Sequence, residues 1–327
     1  MNAKNPQTVL VTGAAGYIGS VLCRQLLAAG YRVRGLDSLL FGGVSIVDLM
    51  SLDEFAFVKA DIRDAAAVAK ALEGVDAVVH LAAIVGDPAC KKFPREASEV
   101  MNEGTKALHQ ASIKAGVGHF VFASTCSNYG ISDGNSLISE DTPLNPQSHY
   151  ARLKVGFEEY LMEQSKGEMS WTVLRFATVY GYSPRLRFDL TVNHFTRDMS
   201  LGEELLVFDE NLWRPYCHVE DLAASVGLVL NAGAEKMDGQ VFNVGDSEEN
   251  YTKKTIVGEI LKVAPDAVVK YGDRGGDVRN YRVDFSRIAS TLGFQITKRV
   301  PDGVRELNKL VTSGLLADPF DSTYKNC

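Results

Sequence analysis

Apolar residues in the first half of the chain fall into short β-type runs, separated by stretches in which they recur every three or four positions. "TVLVTG" (8–13) is such a run and ends in glycine. "SVLCRQLLAAG" (20–30) then takes helical spacing and stops at Gly30. "YRVRGLD" (31–37), "FAFVKAD" (55–61), "DAVVHLAA" (76–83), "GHFVFAST" (118–125) and "SWTVLRFATVYG" (170–181) read as further strands. "RDAAAVAKALEG" and "NEGTKALHQASIKAG" read as helices between them. This alternation predicts an α/β fold: a Rossmann-type, doubly wound parallel sheet with right-handed crossovers.

Beyond Gly181 the rhythm breaks. "YSPRLRFDLTVNHFTRDMSLGEELLVFDENLWRPY" is loop-rich, with many arginines and aromatics. "HVEDLAASVGLVLNAG" and "QVFNVGD" return to helix and strand, and the residues from about 246 onward read as a smaller mixed α/β domain. The expected division is a dinucleotide-binding domain over 1–180, rejoined by 218–245, and a substrate domain over 181–217 and 246–327. The polar stretch "DPFDSTYKNC" is expected to be loosely ordered.

Composition narrows the function classes. The chain has 327 residues, is 46% hydrophobic and has a formal net charge of −7. A mildly acidic chain without a Lys/Arg block gives no reason to expect nucleic acid or an anionic membrane as partner. Five scattered cysteines without a CxxC pair fit a reducing cytoplasm better than a disulfide framework or a zinc site. No apolar run is long enough to span a bilayer.

"GAAGYIG" places Gly13, Gly16 and Gly19 between the first strand and the first helix. Glycines there allow a tight turn, close approach of a pyrophosphate to the backbone, and close packing of helix on strand. The loop Gly13, Gly16, Tyr17, Ile18, Gly19 is therefore the expected cofactor segment. Asp37 ends the next strand. A carboxylate there accepts hydrogen bonds from a ribose 2′-hydroxyl and repels a 2′-phosphate, which favours NAD over NADP.

In "YARLK", Tyr150 and Lys154 lie one helical turn apart, and Tyr150 is the only one of 12 tyrosines with lysine four residues on. A phenol of solution pKa about 10 is a poor base at neutral pH. A neighbouring ammonium stabilises the phenolate and brings it toward working range. Tyrosine can then take a proton from a substrate hydroxyl while the carbon beneath gives hydride to NAD.

These motifs, with "ADIRD" (60–64), "HLAA" (80–83), "NEGT" (102–105), "STCSNYG" (124–130), "RFATVYG" and "RPYCHVEDLA" in this order, resemble the extended short-chain dehydrogenase/reductase family, in the branch that modifies nucleotide-linked sugars. The resemblance implies that Asp61 and Ile62 flank the adenine, that Ala82 lines the ribose, and that Lys154 also holds the nicotinamide ribose. It implies that Thr125 hydrogen-bonds the substrate hydroxyl, that Arg214 and Arg274 meet the diphosphate, and that Asn193 lies on the substrate side. Arg185 and Arg187 are open between a diphosphate role and a solvated loop. A homodimer through the helix bearing Tyr150 and the helix before it is the family expectation.

Dehydratases of this branch place an Asp-Glu pair directly after the Thr, whereas this chain has Cys126 and Ser127. Epimerases that act beside a ketone use a cysteine one residue later, where Ser127 stands. Both mechanisms lose support, and Cys126 is read as a small buried group with a reactive thiol as the alternative. The expected function is NAD-dependent oxidation of a secondary hydroxyl, C4 first, of a nucleotide sugar by a 4-epimerase. The alternatives are a 4-dehydrogenase or ketoreductase with net redox, and a non-catalytic NAD-binding regulator.

Overall fold

The computed structural model describes residues 7–132, 136–164, 169–272, 276 and 279–326. The chain divides into two compact units. The first holds the residues up to Ser124, Ser148–Leu174 and Ala223–Val241; the second holds Thr125–Gln147, Arg175–Leu222 and the residues from Phe242 onward. Residues 125–147, 175–180, 218–222 and 242–245, placed in the cofactor domain on sequence, group with the second unit.

Seven strands form one sheet: β1 (Thr8–Thr12), β2 (Arg32–Asp37), β3 (Phe55–Lys59), β4 (Ala77–His80), β5 (His119–Thr125), β6 (Ser170–Phe176) and β7 (Gln240–Val244). Their order is β7-β6-β5-β4-β1-β2-β3. β1 pairs in parallel with β2 on one side (Thr12 opposite Leu36) and with β4 on the other (Thr12 opposite His80). Chain order therefore reverses beside β1, and the carboxyl ends of β1 and β4 mark the switch point at which such sheets bind ligands.

The helices follow from local chemistry as well as pattern. α1 (Tyr17–Ala28) starts at Gly16, and α2 (Ala65–Ala71) is capped by Asp64, whose carboxylate accepts the Ala66 and Ala67 N–H groups. α3 (Thr105–Lys114) starts later than its sequence suggests. A wider π-type turn over Glu99–Gly104 precedes it, where the Thr105 hydroxyl donates to the Val100 carbonyl at 3.1 Å. α4 (His149–Met162) begins where Ser148 Oγ accepts the Ala151 N–H at 3.2 Å.

One strand expected over 170–181 is two. It breaks at Ala177, and Thr178–Tyr180 pairs in parallel with Tyr216–His218 in a separate three-stranded sheet of the second unit. Apolar residues continue on both sides of Ala177 (Val173, Leu174 and Phe176, then Val179 and Tyr180), so the switch of partner leaves no mark in the pattern. The stretch read as loop-rich holds a helix, Thr191–Ser200, that buries Val192, Phe195 and Met199. Its Arg, Asp, His and Asn residues hide that apolar stripe in the overall composition. The segment 318–326 is ordered, contrary to expectation: Asp318 accepts the Phe320 N–H and Asp321 the Thr323 N–H.

Each unit has its own core. In the first, Phe120 and Phe122 of β5 project toward Phe157 of α4, with the Phe122 and Phe157 rings 4.7 Å apart. In the second, Tyr180, Phe188, Phe195, Tyr216 and Leu307 pack with Val192, Ile256 and Val304. Phe157 joins α4 to the sheet, so Phe157→Ala is expected to destabilise the protein by about 3–5 kcal/mol. Denaturant unfolding at fixed temperature measures this, and a change below about 1 kcal/mol contradicts the assigned packing.

Candidate active site

The β1–α1 loop is shaped by what cannot fit in it. Gly13 has φ +73°, and a Cβ there would stand 2.9 Å from the Ala82 amide nitrogen. At Gly19 a Cβ would lie 2.0 Å from the Gly13 carbonyl oxygen, so α1 rests directly on the end of β1. Gly16 N–H donates to that same carbonyl at 3.0 Å. No side chain caps α1 and no acid sits in its first turn. Its N–H groups and the positive end of its dipole thus suit an anionic group. Tyr17 is buried and Ile18 half-buried.

Asp37 closes over this loop. Its carboxylate accepts the Ala15 N–H at 3.0 Å and the Leu39 N–H at 2.8 Å. Burial pushes its pKa up, against the pull of the two backbone bonds. Carboxylate oxygens have further lone pairs for a ribose diol. The glycine cradle, the uncapped helix start and this acid fit a dinucleotide. Asp61 faces Arg63, 2.7 Å away, which by hydrogen bonding holds its carboxyl below the usual range. Ile62 is packed in the core, and the Ala82 N–H donates to Thr12 Oγ1 at 3.3 Å. His80 is structural: its ring bridges Thr12 and Thr105, and burial drives its pKa down to about 3.

Tyr150 stands half-buried in the first turn of α4. Lys154, one turn on, is 4% exposed. Its Nζ donates to the Ala123 carbonyl at 2.7 Å and lies 4.7 Å from the Phe122 ring centre and 5.9 Å from that of Tyr150. Burial pushes the ammonium down to about 8, against Cys90 and Glu158, which pull it up. Glu158, one turn further along α4, is fully buried and accepts a short hydrogen bond from Ser124 Oγ. Helix α4 is thereby fastened to adjacent residues of β5, Ala123 and Ser124, by two side chains one turn apart. Sequence reading missed Glu158; an acid four residues after a buried lysine was the available signal.

In the second unit, Thr125 Oγ1 accepts the Ser127 N–H at 3.1 Å and caps the turn Cys126–Tyr129. Cys126 is 1% exposed, and its thiol donates to the Arg175 carbonyl at 3.1 Å. That is the environment of a small buried group. Arg214 is half-buried, bonds the Trp213 carbonyl at 2.6 Å and stacks 5.0 Å from the Tyr281 ring centre. Arg274 lies outside the described residues.

Asn193 is fully buried. Its Oδ1 accepts the Gly181 N–H at 2.9 Å, and its amide nitrogen donates to the Gly181 and Arg187 carbonyls at 3.2 and 2.9 Å. Both amide hydrogens are thus used on the 181–187 backbone. Its side chain holds that loop. Arg187 pairs with Asp189 at 2.8 Å, and Arg185 bonds backbone, so neither is a solvated loop residue.

Fold and loop together define an NAD-dependent dehydrogenase/reductase of the short-chain type. A model of the NAD dependent epimerase/dehydratase family matches residues 9–245, and the chain belongs to that family. It is 34% identical over 304 residues to a UDP-glucose 4-epimerase of Mycolicibacterium smegmatis, covering 90% of this chain and 95% of the relative. Among solved structures, UDP-glucose 4-epimerase of Thermotoga maritima with UDP-glucose superposes with TM-score 0.84 at 28% identity, covering 95% of this chain and all of that one. The dTDP-glucose 4,6-dehydratase DesIV of Streptomyces venezuelae, with NAD bound, also gives 0.84 at 29% identity, covering 94% and 98%.

Substituting Gly19→Ala forces α1 away from Gly13. NAD affinity is expected to fall by about tenfold or more, as read by calorimetric titration. An unchanged dissociation constant rules out the close approach as a requirement for the cofactor.

Proposed function

We propose that this protein is a nucleotide-sugar 4-epimerase, working through Tyr150, Lys154 and Thr125. When bound, NAD would supply the hydride acceptor and donor for C4 of the sugar. Tyr150 accepts the proton of the C4 hydroxyl and gives it back when the ring carbon is reduced from its other face. The buried Lys154 ammonium, 5.9 Å from the Tyr150 ring centre, favours the phenolate form that makes this base effective. Thr125 bonds the same substrate oxygen. Gly13, Gly16, Tyr17, Ile18, Gly19, Asp37, Asp61, Ile62, Ala82 and Lys154 form the cofactor site in this reading. Arg214 and Arg274 receive the substrate's diphosphate, for which guanidinium forks are suited.

The single observation that favours epimerisation over dehydration is the chemistry at 126–127. Dehydration needs an acid that protonates the departing hydroxyl. The Cys126 thiol is turned into the protein toward the Arg175 carbonyl, and Ser127 is a hydroxyl. Neither is a carboxylic acid. Epimerisation needs only the Tyr150, Lys154 and Thr125 set.

A homodimer through α3 and α4 belongs to the same proposal, and Met162 of α4 is 52% exposed. Sedimentation at micromolar concentration gives a dimer if this holds and a monomer if it does not. A cytoplasmic setting is supported by four described cysteines that are free thiols. No described helix is long and apolar enough to cross a membrane.

Mass spectrometry of products from a panel of nucleotide sugars with NAD tests the reading. An isomer of unchanged mass is expected. A product lighter by two hydrogens identifies a dehydrogenase, and one lighter by water a dehydratase. Tyr150→Phe is expected to lower turnover by about 10²–10⁴-fold with NAD binding retained, whereas unchanged turnover would favour an idle NAD-binding regulator. The Lys154 ammonium is protonated below about 8, so the rate is expected to fall as pH rises through that value. Lys154→Arg, charged throughout the range, moves this limb to higher pH. A limb that stays in place in the variant belongs to another group.

A further inference from the structure

Tyr150, Lys154 and Glu158 follow one another at four-residue intervals along α4 and so form one stripe of the helix. The reaction above uses the first two. Glu158 is fully buried, and its carboxylate accepts a short hydrogen bond from Ser124 Oγ. Lys154 Nζ meets the preceding residue of β5, at the Ala123 carbonyl. Two opposite charges thus stand one helical turn apart, each fastened to one of two successive strand residues. A buried carboxylate is costly unless it is paired, so packing alone gives no reason for an acid at 158.

The groups around Lys154 differ in what they carry where it titrates, at about 8. From the helix Asp87–Lys92, Cys90 acts on it, but burial pushes that thiol up to about 11 and leaves it neutral as the lysine titrates. From β4, burial drives His80 down to about 3, so its ring is uncharged there. From β5, Phe122 offers a ring face and Ala123 a carbonyl, neither of which titrates. The other segments packed on α4 have their charges engaged elsewhere. Ser98 meets His149, Glu99 turns to Arg63 and Arg95, and His109 of α3, brought down to about 4 by burial, faces Tyr160. Apart from the Tyr150 phenolate that the ammonium itself supports, Glu158 is the group among these that brings Lys154 a negative charge.

We propose that Glu158 is a positioning residue for Lys154: its buried carboxylate keeps the ammonium charged beside Tyr150 and so sets the upper pH limit of the reaction. The proposal rests on the reading of Tyr150 and Lys154 as the pair that handles the proton. Without the opposing charge, burial acts on the lysine alone and it loses its proton at lower pH. The Ser124 hydroxyl fixes where the carboxylate stands.

The test is Glu158→Gln in the full-length, NAD-saturated protein, because the amide keeps the shape and an acceptor for Ser124 and discards the charge. Lys154 is titrated through the carbon-13 shift of its Cε in lysine-labelled protein, with Lys154→Arg identifying the signal. Its midpoint is expected to fall by about one pH unit, and the alkaline limb of the rate profile to move down with it. In the Lys154→Arg background the same substitution is expected to leave the limb in place, since no lysine proton is there to lose. A lowered melting temperature with the Lys154 midpoint unchanged overturns the proposal and makes Glu158 a packing residue. So does a limb that moves as far in the Lys154→Arg background. If the glutamine variant does not fold, wild-type protein labelled at glutamate Cδ decides: Glu158 ionised through about pH 6–9 supports the proposal, and Glu158 protonated there overturns it. A midpoint that falls in a protein that turns over no nucleotide sugar upholds the Glu158–Lys154 coupling and overturns the functional reading instead.

Discussion

The Lys154 ammonium group is removed from water at the end of a β-strand, and much of the first unit is arranged to tolerate it. An isolated buried charge costs several kcal/mol. Here the Ala123 carbonyl takes one N–H, the Phe122 ring offers its face, and Glu158 adds an opposing charge from the same helix. These partners do not restore an ordinary lysine. Burial still prevails, and the group is brought down to about 8. In the proposed reaction, a small change around a cation so poised would alter how strongly it supports a Tyr150 phenolate. The Ser124–Glu158 bond gains significance from this, because it pins helix α4 one turn beyond the lysine.

Sterics, rather than charge, governs the turn after β1, at the same carboxyl edge of the sheet. Gly19 sits where any side chain would strike the Gly13 carbonyl, and Gly13 where a side chain would strike Ala82. The strand and helix ends thus approach closely at the switch point between β1 and β4. The uncapped N–H groups of α1 and the Asp37 carboxylate then supply donors and an acceptor at fixed positions. Neither part depends on a residue outside the first unit.

Local features were legible in the sequence, and distant pairings were not. The glycine loop, Asp37 and the Tyr150–Lys154 pair all depend on spacing within a turn or between neighbouring elements, and the seven sheet strands follow from short β-type apolar runs. The break at Ala177 was hidden because β-type apolar residues continue on both sides of it and the two halves of 170–181 differ in partner. The helix Thr191–Ser200 was hidden because its buried face includes Asn193, Thr196 and Arg197, polar residues whose partners lie elsewhere in the unit. Glu158 meets Ser124 across 34 residues, and Arg185 meets Lys325 across 140. No periodicity encodes such pairs. Asn193 was read by resemblance as lying on the substrate side, and its hydrogen bonds to the 181–187 backbone had no sequence signal.

The central claim is that hydride leaves C4 and returns to C4 within one binding event. A nucleotide sugar deuterated at C4, incubated with the protein and NAD, tests it directly. The account predicts an isomer inverted at C4, still deuterated there and unchanged in mass, with no accumulation of reduced cofactor. Deuterium appearing at C6 of a product lighter by one water, or lost from the sugar into reduced cofactor, would contradict it.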